Sequence, residues 1–237
     1  MKRILSATLF VAVLGLIPIN AFAQSESRDA VIKQIETKRA ELSVLEKKIL
    51  VPSEEDRTTY AEFLKQPDTG LIRLMPREVY DNVLAVRGGG AYYSFVNLSH
   101  DYGHGSDIGL EQGFLSVGFA GANYGMLIKV GDISLEEVNT EIPSVKFLSA
   151  YSAVTEEPQA RIEQRRFSGA GTKIDDIPYG NRQRAQVNTT YVVRSIDYSR
   201  SDVLVAFRVL RKDRDGSLII LWKLLKTYPV TDLARQN

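Results

Sequence analysis

Residues 191–228, YVVRSIDYSRSDVLVAFRVLRKDRDGSLIILWKLLKTY, decide the fold. Three runs within them, 191–198, 203–211 and 217–228, are rich in β-branched and aromatic residues. Short polar turns separate the runs: Ser199-Arg200-Ser201-Asp202 and Asp213-Arg214-Asp215-Gly216. Turns this short join antiparallel strands, because a parallel return needs a crossover of about a dozen residues or more. The stretch therefore predicts a three-stranded meander. Residues 218–225 are apolar at both parities apart from Lys223, the pattern of a central strand covered on both faces. They include Trp222, the only tryptophan. A helix reading of LIILWKLLK competes, and the Asp215-Gly216 turn before it decides for a strand.

Upstream of the meander, residues 87–131 hold eleven of the seventeen glycines, both histidines and a concentration of aromatic rings. Strands are predicted over 71–75, 83–86, 92–98, 114–119 and 124–130. Gly88-Gly89-Gly90 interrupts the run, with a bulge or close backbone approach as its role rather than phosphate binding. Ala120-Gly121-Ala122-Asn123 reads as a tight hairpin joining 114–119 to 124–130. Residues 99–109 have too many glycines and aspartates for a regular strand and read as an irregular loop. Ser134 with Glu137 fits a capping box, so a short helix ending before Pro143 is expected. Residues 145–154 read as helix or strand, 155–167 as a helix, and 168–188 as loop.

The N-terminal third has a helical period. Val31, Ile35, Leu42, Leu45 and Ile49 occupy heptad a and d positions, with Arg28 and Lys38 as two defects. This predicts a helix to residue 50, with a weak coiled coil over 28–50. The stripe packs on its own domain, forms a stalk, or mediates self-association. Val51-Pro52 ends that helix. Ser53 followed by Glu54, Glu55 and Asp56 starts a second one, over 53–66.

Residues 1–23 read as a secretory signal peptide. Lys2 and Arg3 precede an uncharged apolar run over 4–19, and Ala21-Phe22-Ala23 forms a small-x-small site with cleavage after Ala23. The chain has no cysteine, so disulfides and an N-terminal lipidated cysteine are excluded. The rest of the 237-residue chain is long enough to bury a core without staples. These features suit a bacterial exported protein, periplasmic or extracellular, and make the sequons at Asn97 and Asn188 chance matches. Removing Lys2 and Arg3 leaves 28 basic against 29 acidic residues, a balance that does not point to nucleic acid. No segment beyond the signal reaches spanning length, so no membrane insertion is expected after cleavage.

Two groups of residues could carry chemistry. Asp101, His104 and Asp107 stand three apart in the loop, with His100 beside them, and imidazole with carboxylates suits a divalent ion or acid–base work. The spacing matches no metal signature, and adjacent Ser99, His100 and Asp101 cannot face one another as a triad. An ordinary surface loop is the plainer account. Tyr92, Tyr93, Tyr102 and Tyr124, with Glu111, could line a groove for carbohydrate or peptide, against the plain alternative of sheet core. Arg161, Arg165, Arg166, Arg182 and Arg184 form a basic region offset by neighbouring acids, as on a solvated helix face.

The expected fold is α+β: a helical segment over 24–70, then a mainly antiparallel β domain over 71–237, a sandwich or half-open barrel. The expected function is a non-catalytic binding or structural module with a ligand surface at 87–131. The alternative is a hydrolase or metal-dependent enzyme using Asp101, His104 and Asp107. No cofactor is read from the sequence.

Overall fold

The computed structural model describes residues 27–103 and 105–234. Residues 1–23, read from the sequence as a signal peptide, and His104 lie outside them. The chain divides into two units, 1–37 and 38–237. The described part of the first is the start of helix α1 (Arg28–Leu50). Everything below concerns the second unit unless stated.

The strands and helices are few in kind. Helices are α2 (Glu54–Thr59), α3 (Ala61–Leu64), α4 (Arg77–Tyr80), α5 (Pro143–Ala150) and α6 (Glu157–Phe167). Strands are β1 (Thr69–Leu74), β2 (Tyr92–Tyr93), β3 (Ile108–Glu111), β4 (Phe114–Ser116), β5 (Tyr124–Gly131), β6 (Thr172–Ile174), β7 (Ile177–Tyr179), β8 (Arg182–Arg184), β9 (Thr189–Asp197), β10 (Ser201–Lys212) and β11 (Leu218–Thr227). The fold is α+β, and every strand pairing is antiparallel.

The meander forms as the sequence predicts, β9 to β10 to β11, and becomes the middle of a five-stranded sheet ordered β1-β11-β10-β9-β5. Strand β11 lies between β1 and β10, and an apolar layer covers each of its faces, which accounts for its apolar residues at both parities. Tyr191, Val193, Val205, Phe207, Ile220 and Trp222 point to one face, where the four-stranded sheet β2-β3-β4-β8 covers them with Tyr93, Ile108 and Leu115, joined by Phe95 from the turn after β2. Val192, Leu204, Ala206 and Leu221 point to the other face and meet Phe63, Val145, Leu148, Ala160 and Phe167 from the helices. The core is thus two apolar layers on either side of one sheet, and the described residues form no closed barrel. The alternation of period two sorts each strand between these layers.

One charged pair lies inside the helical layer. Arg194, 1 % exposed, donates to both oxygens of Asp202 at 2.5 and 2.8 Å and to the Leu148 carbonyl at 3.1 Å. The Tyr228 ring stacks on its guanidinium. Each of the three guanidinium nitrogens thus has a hydrogen-bond acceptor, which offsets the cost of burying the charge.

Several expectations are corrected. Residues 83–86 are not a strand: the Ala85 and Val86 N–H groups donate to the carboxylate of buried Glu46, so they never enter a ladder. Strand 92–98 shrinks to Tyr92–Tyr93, because the chain turns at 95–98 and returns through a Ser94–Ser99 bridge. Strand β3 begins at Ile108, inside the segment read as loop. Residues 120–123 turn the chain, but β4 and β5 do not pair. The turn passes the chain from the small sheet to the large one. The helix expected from Ser134 is absent; a helix instead begins at Pro143, where proline's missing N–H costs nothing in the first turn. The loop 168–188 contains three short strands. The second helix breaks at Tyr60 into α2 and α3, and Ser53 with Asp56 forms its capping box.

Candidate functional site

A cleft of about 440 Å³ opens beside β1. One wall is the C-terminal part of α1 (Ser43, Glu46, Lys47, Leu50) with Val51, Pro52 and Arg57. The floor is Leu71 and Ile72 of β1, with Val86 and Tyr93. The opposite wall is Leu98, Ser99, His100 and Asp101. Apolar and polar side chains both line it: Leu50, Ile72 and Tyr93 are buried together with Glu46, while Val51, Leu98, Lys47 and Asp101 are exposed, a mixture that suits a binding cleft.

Local chain geometry sets this wall. Gly88, Gly89 and Gly90 all have positive φ (77°, 61° and 75°), a left-handed turn that only glycine adopts without strain. A Cβ on Gly89 would lie 2.3 Å from the Tyr80 backbone, and one on Gly90 2.3 Å from Leu50. The triple glycine therefore lets the 85–91 segment lie against α4 and α1, and Met75 N–H donates to the Gly90 carbonyl at 3.1 Å. The turn at 95–98 then directs residues 98–101 back across β1.

His100 is the anchor of that wall. Its Nε2 lies 2.8 Å from the Arg73 carbonyl, which can only accept, so Nε2 carries the proton. Its ring meets Tyr93 edge-on, with centroids 5.0 Å apart. Burial holds the imidazole below its ordinary pKa, partly offset by the Arg73 carbonyl. It is therefore neutral at pH 7. Burial also pushes the Tyr93 hydroxyl up to about 12. Asp101 lies on the surface, 3.6 Å from Arg87.

The other predicted site residues are elsewhere. Asp107 is wholly buried between the sheets, not in the cleft wall. Its Oδ2 accepts from Phe95 N–H at 2.7 Å, while Oδ1 makes no hydrogen bond, although the Ser195 and Ser94 hydroxyls lie near enough to favour its charged form. Burial pushes this carboxyl up to about 6, and the charge of Asp197 adds to the effect. Asp197, also buried, accepts from Gly105 N–H and from Asn123 Nδ2. No group of three metal-ligating side chains occurs among the described residues.

The tyrosines separate by strand parity. Tyr93 points into the core between the sheets, and neighbouring Tyr92 points away, against Tyr102 and Phe119 at 4.3 and 5.0 Å. Tyr124 lies on the helical side of the large sheet and bonds Tyr151 Oη at 2.9 Å. These four rings do not form one surface. Glu111 is half-exposed and lies 3.4 Å from Arg77. In the basic region Arg161 and Arg166 pair with Glu157 and Glu163, and Arg182 stacks on Phe114.

Of the predicted residues, the cleft gathers Tyr93, His100 and Asp101. It also gathers Glu46, Lys47, Arg57 and Leu71, which the sequence does not single out. They come from parts of the chain 29 to 54 positions earlier than His100, as their numbering shows. The chain matches no protein-family model, no curated protein and no solved structure. No helix among the described residues is long and apolar enough to cross a membrane.

Proposed function

We propose that the chain is an exported, non-catalytic binding module whose ligand, a peptide or a carbohydrate, occupies the cleft beside His100. The observation that supports this most is the cleft itself. Apolar side chains of β1, a half-buried neutral imidazole and several charged side chains meet at residues 98–101, inside the glycine-rich stretch where the sequence suggests a site. The hydrolase alternative asks Asp101, His104 and Asp107 to share a pocket. Asp101 lies on the surface and Asp107 in the interior, while His104 lies outside the described residues. The test is a thermal-shift screen of peptides and oligosaccharides on the mature protein and on Ser43→Trp, which fills the cleft from an exposed position. A ligand that raises the melting temperature of the first and not the second supports the reading. Ligands that act equally on both refute it. Export with cleavage after Ala23 is tested by the mass of the protein recovered outside the cytoplasm, expected to begin at Gln24.

A second reading, self-association through residues 28–50, rests on the exposure of the heptad stripe. Val31 and Ile35 in the first unit are 39 % and 47 % exposed, and Leu42, Leu45 and Ile49 in the second are 43 %, 55 % and 39 % exposed. The residues of the second unit's part of α1 that are buried are Glu46 and Leu50, off the stripe. Sedimentation of the mature protein against a chain starting at Ser53 tests this. Equal oligomeric states would remove it.

A further inference from the structure

The large sheet has two edges. At the β5 edge the chain covers itself: Leu127 N–H donates to the Gly180 carbonyl at 2.6 Å, and Gln183 reaches the Leu127 carbonyl. The other edge is β1, and it runs along the floor of the cleft. Its hydrogen-bonding parity is fixed by one contact. The Arg73 carbonyl faces away from β11, because His100 Nε2 bonds it from outside. In an antiparallel ladder alternate residues face the same way, so the N–H and C=O groups of Leu71 and Thr69 also face outward. Gly70, Ile72 and Leu74 face β11, paired with Trp222, Ile220 and Leu218. Among the described residues nothing bonds the outward backbone groups of Leu71. His100 thus terminates the edge at Arg73 and leaves Leu71 open at the bottom of the cleft.

An unpaired edge is a template for another strand, and folded proteins usually cover such edges or place charge on them. Here the edge is recessed between two walls, so access is restricted to one narrow extended chain. The rim selects its charge. The Glu46 carboxylate is spent on two backbone N–H groups, and Asp101 faces Arg87. Lys47 makes no ion pair among the described residues, and Arg57 has only a 3.7 Å contact to the exposed Glu54. With Glu46 buried, the exposed charges around the cleft are Lys47, Arg57 and Arg87 against Asp101 and Glu54, an excess of one positive charge.

We propose that the recessed edge of β1 takes an extended acidic polypeptide as an added strand, bonded to the backbone of Leu71 and Thr69, with its carboxylates toward Lys47 and Arg57. This rests on the reading of the cleft as a binding site and names its ligand class. Backbone pairing supplies affinity, and the walls select side chains at alternate positions.

The experiment uses ¹⁵N-labelled mature protein and three probes: a capped octapeptide alternating Val and Glu, its Val-Lys counterpart, and the Val-Glu peptide N-methylated at alternate residues. The Val-Glu peptide is expected to slow amide exchange at Thr69 and Leu71 at least tenfold, with Gly70 and Ile72 unchanged. N-methylation and the Lys peptide are each expected to weaken binding at least tenfold. Leu71→Pro, which removes an outward N–H and no ladder bond, is expected to do the same; the N-methylated probe gives the same information with the protein unaltered. Binding that ignores N-methylation but shifts His100 and Lys47 overturns strand addition and leaves the cleft reading standing. Absence of binding by all three peptides at millimolar concentration also overturns it, and the oligosaccharide arm of the earlier screen then decides the cleft reading. Protection of Thr69 and Leu71 that rises with protein concentration alone assigns the edge to a second copy of the chain and overturns the peptide proposal.

Discussion

Replacing Asp107 by Asn should stabilise the protein above pH 6 and leave it unchanged near pH 4. The native carboxyl is pushed up from 3.8 to about 6, chiefly because burial penalises its charged form. Between these values the native state holds a proton that the unfolded state has released. Proton binding is then greater in the native state, so stability falls as pH rises through this window and levels off above it. A shift of roughly two units, at about 1.4 kcal/mol each, makes the loss about 3 kcal/mol. Asparagine keeps an acceptor for Phe95 N–H and has no charge to desolvate. Its amide can also place a donor where Oδ1 makes no hydrogen bond. Urea unfolding of both proteins at several pH values from 4 to 8, followed by Trp222 fluorescence, gives the difference directly. It is expected to grow by about 3 kcal/mol between pH 4 and pH 7. The difference also cancels contributions common to both proteins, such as that of His100, whose lowered pKa costs stability as pH falls below about 6.5. A difference that stays flat within about 1 kcal/mol across the range would refute the argument, because it would mean that Asp107 is solvated or paired in its charged form.

Three further substitutions probe the frame around the site. Arg194→Ala leaves Asp202 charged and buried, so a loss of about 3–5 kcal/mol is expected, whereas the double change Arg194→Met with Asp202→Leu should recover most of it in urea titrations. Glu46→Ala strips the acceptor from Ala85 and Val86 N–H. It should cost about 2–4 kcal/mol and make residues 83–87 the first point of proteolytic cleavage. Gly89→Ala forces a Cβ against the Tyr80 backbone at positive φ. A loss of more than about 2 kcal/mol is expected in the same titration, and a neutral result would show that the turn can relax.

The meander was legible because its information is local. Two polar turns and three runs of matched length suffice, and β9, β10 and β11 form accordingly. Pairing between distant segments leaves no such trace. Nothing near residues 69–74 announces that they will pair with 218–223. The small sheet is built from strands of two to four residues, too short for alternation to declare itself. Turn chemistry at 120–123 was readable, but a turn does not state whether its flanks pair, and here they join different sheets. Val83–Val86 looked like a strand by hydrophobicity alone; what decided otherwise was a carboxylate on α1, 39 positions from Ala85. The same limit applies to the candidate site. Composition located Tyr93, His100 and Asp101, but Lys47, Arg57 and Leu71 reach the cleft through folding. Burial of Asp107 could not be read from a loop that looked polar.

The pairing of β1 with β11 also has a consequence for the order of events in synthesis. The register joins Thr69 to Lys223 and Leu74 to Leu218, so some 150 residues must be made and gathered before this contact can form. A chain emerging from the ribosome carries β1 for most of its elongation without the strand that will flank it. The meander, whose strands are neighbours in sequence, can form quickly once it appears, while the long loop between β1 and β11 closes slowly because its entropy must be lost before any contact repays it. One of the earliest strands to be made must therefore wait for the last one before it can enter the sheet, and a chain stopped at Lys212 would hold β1 with nothing to join.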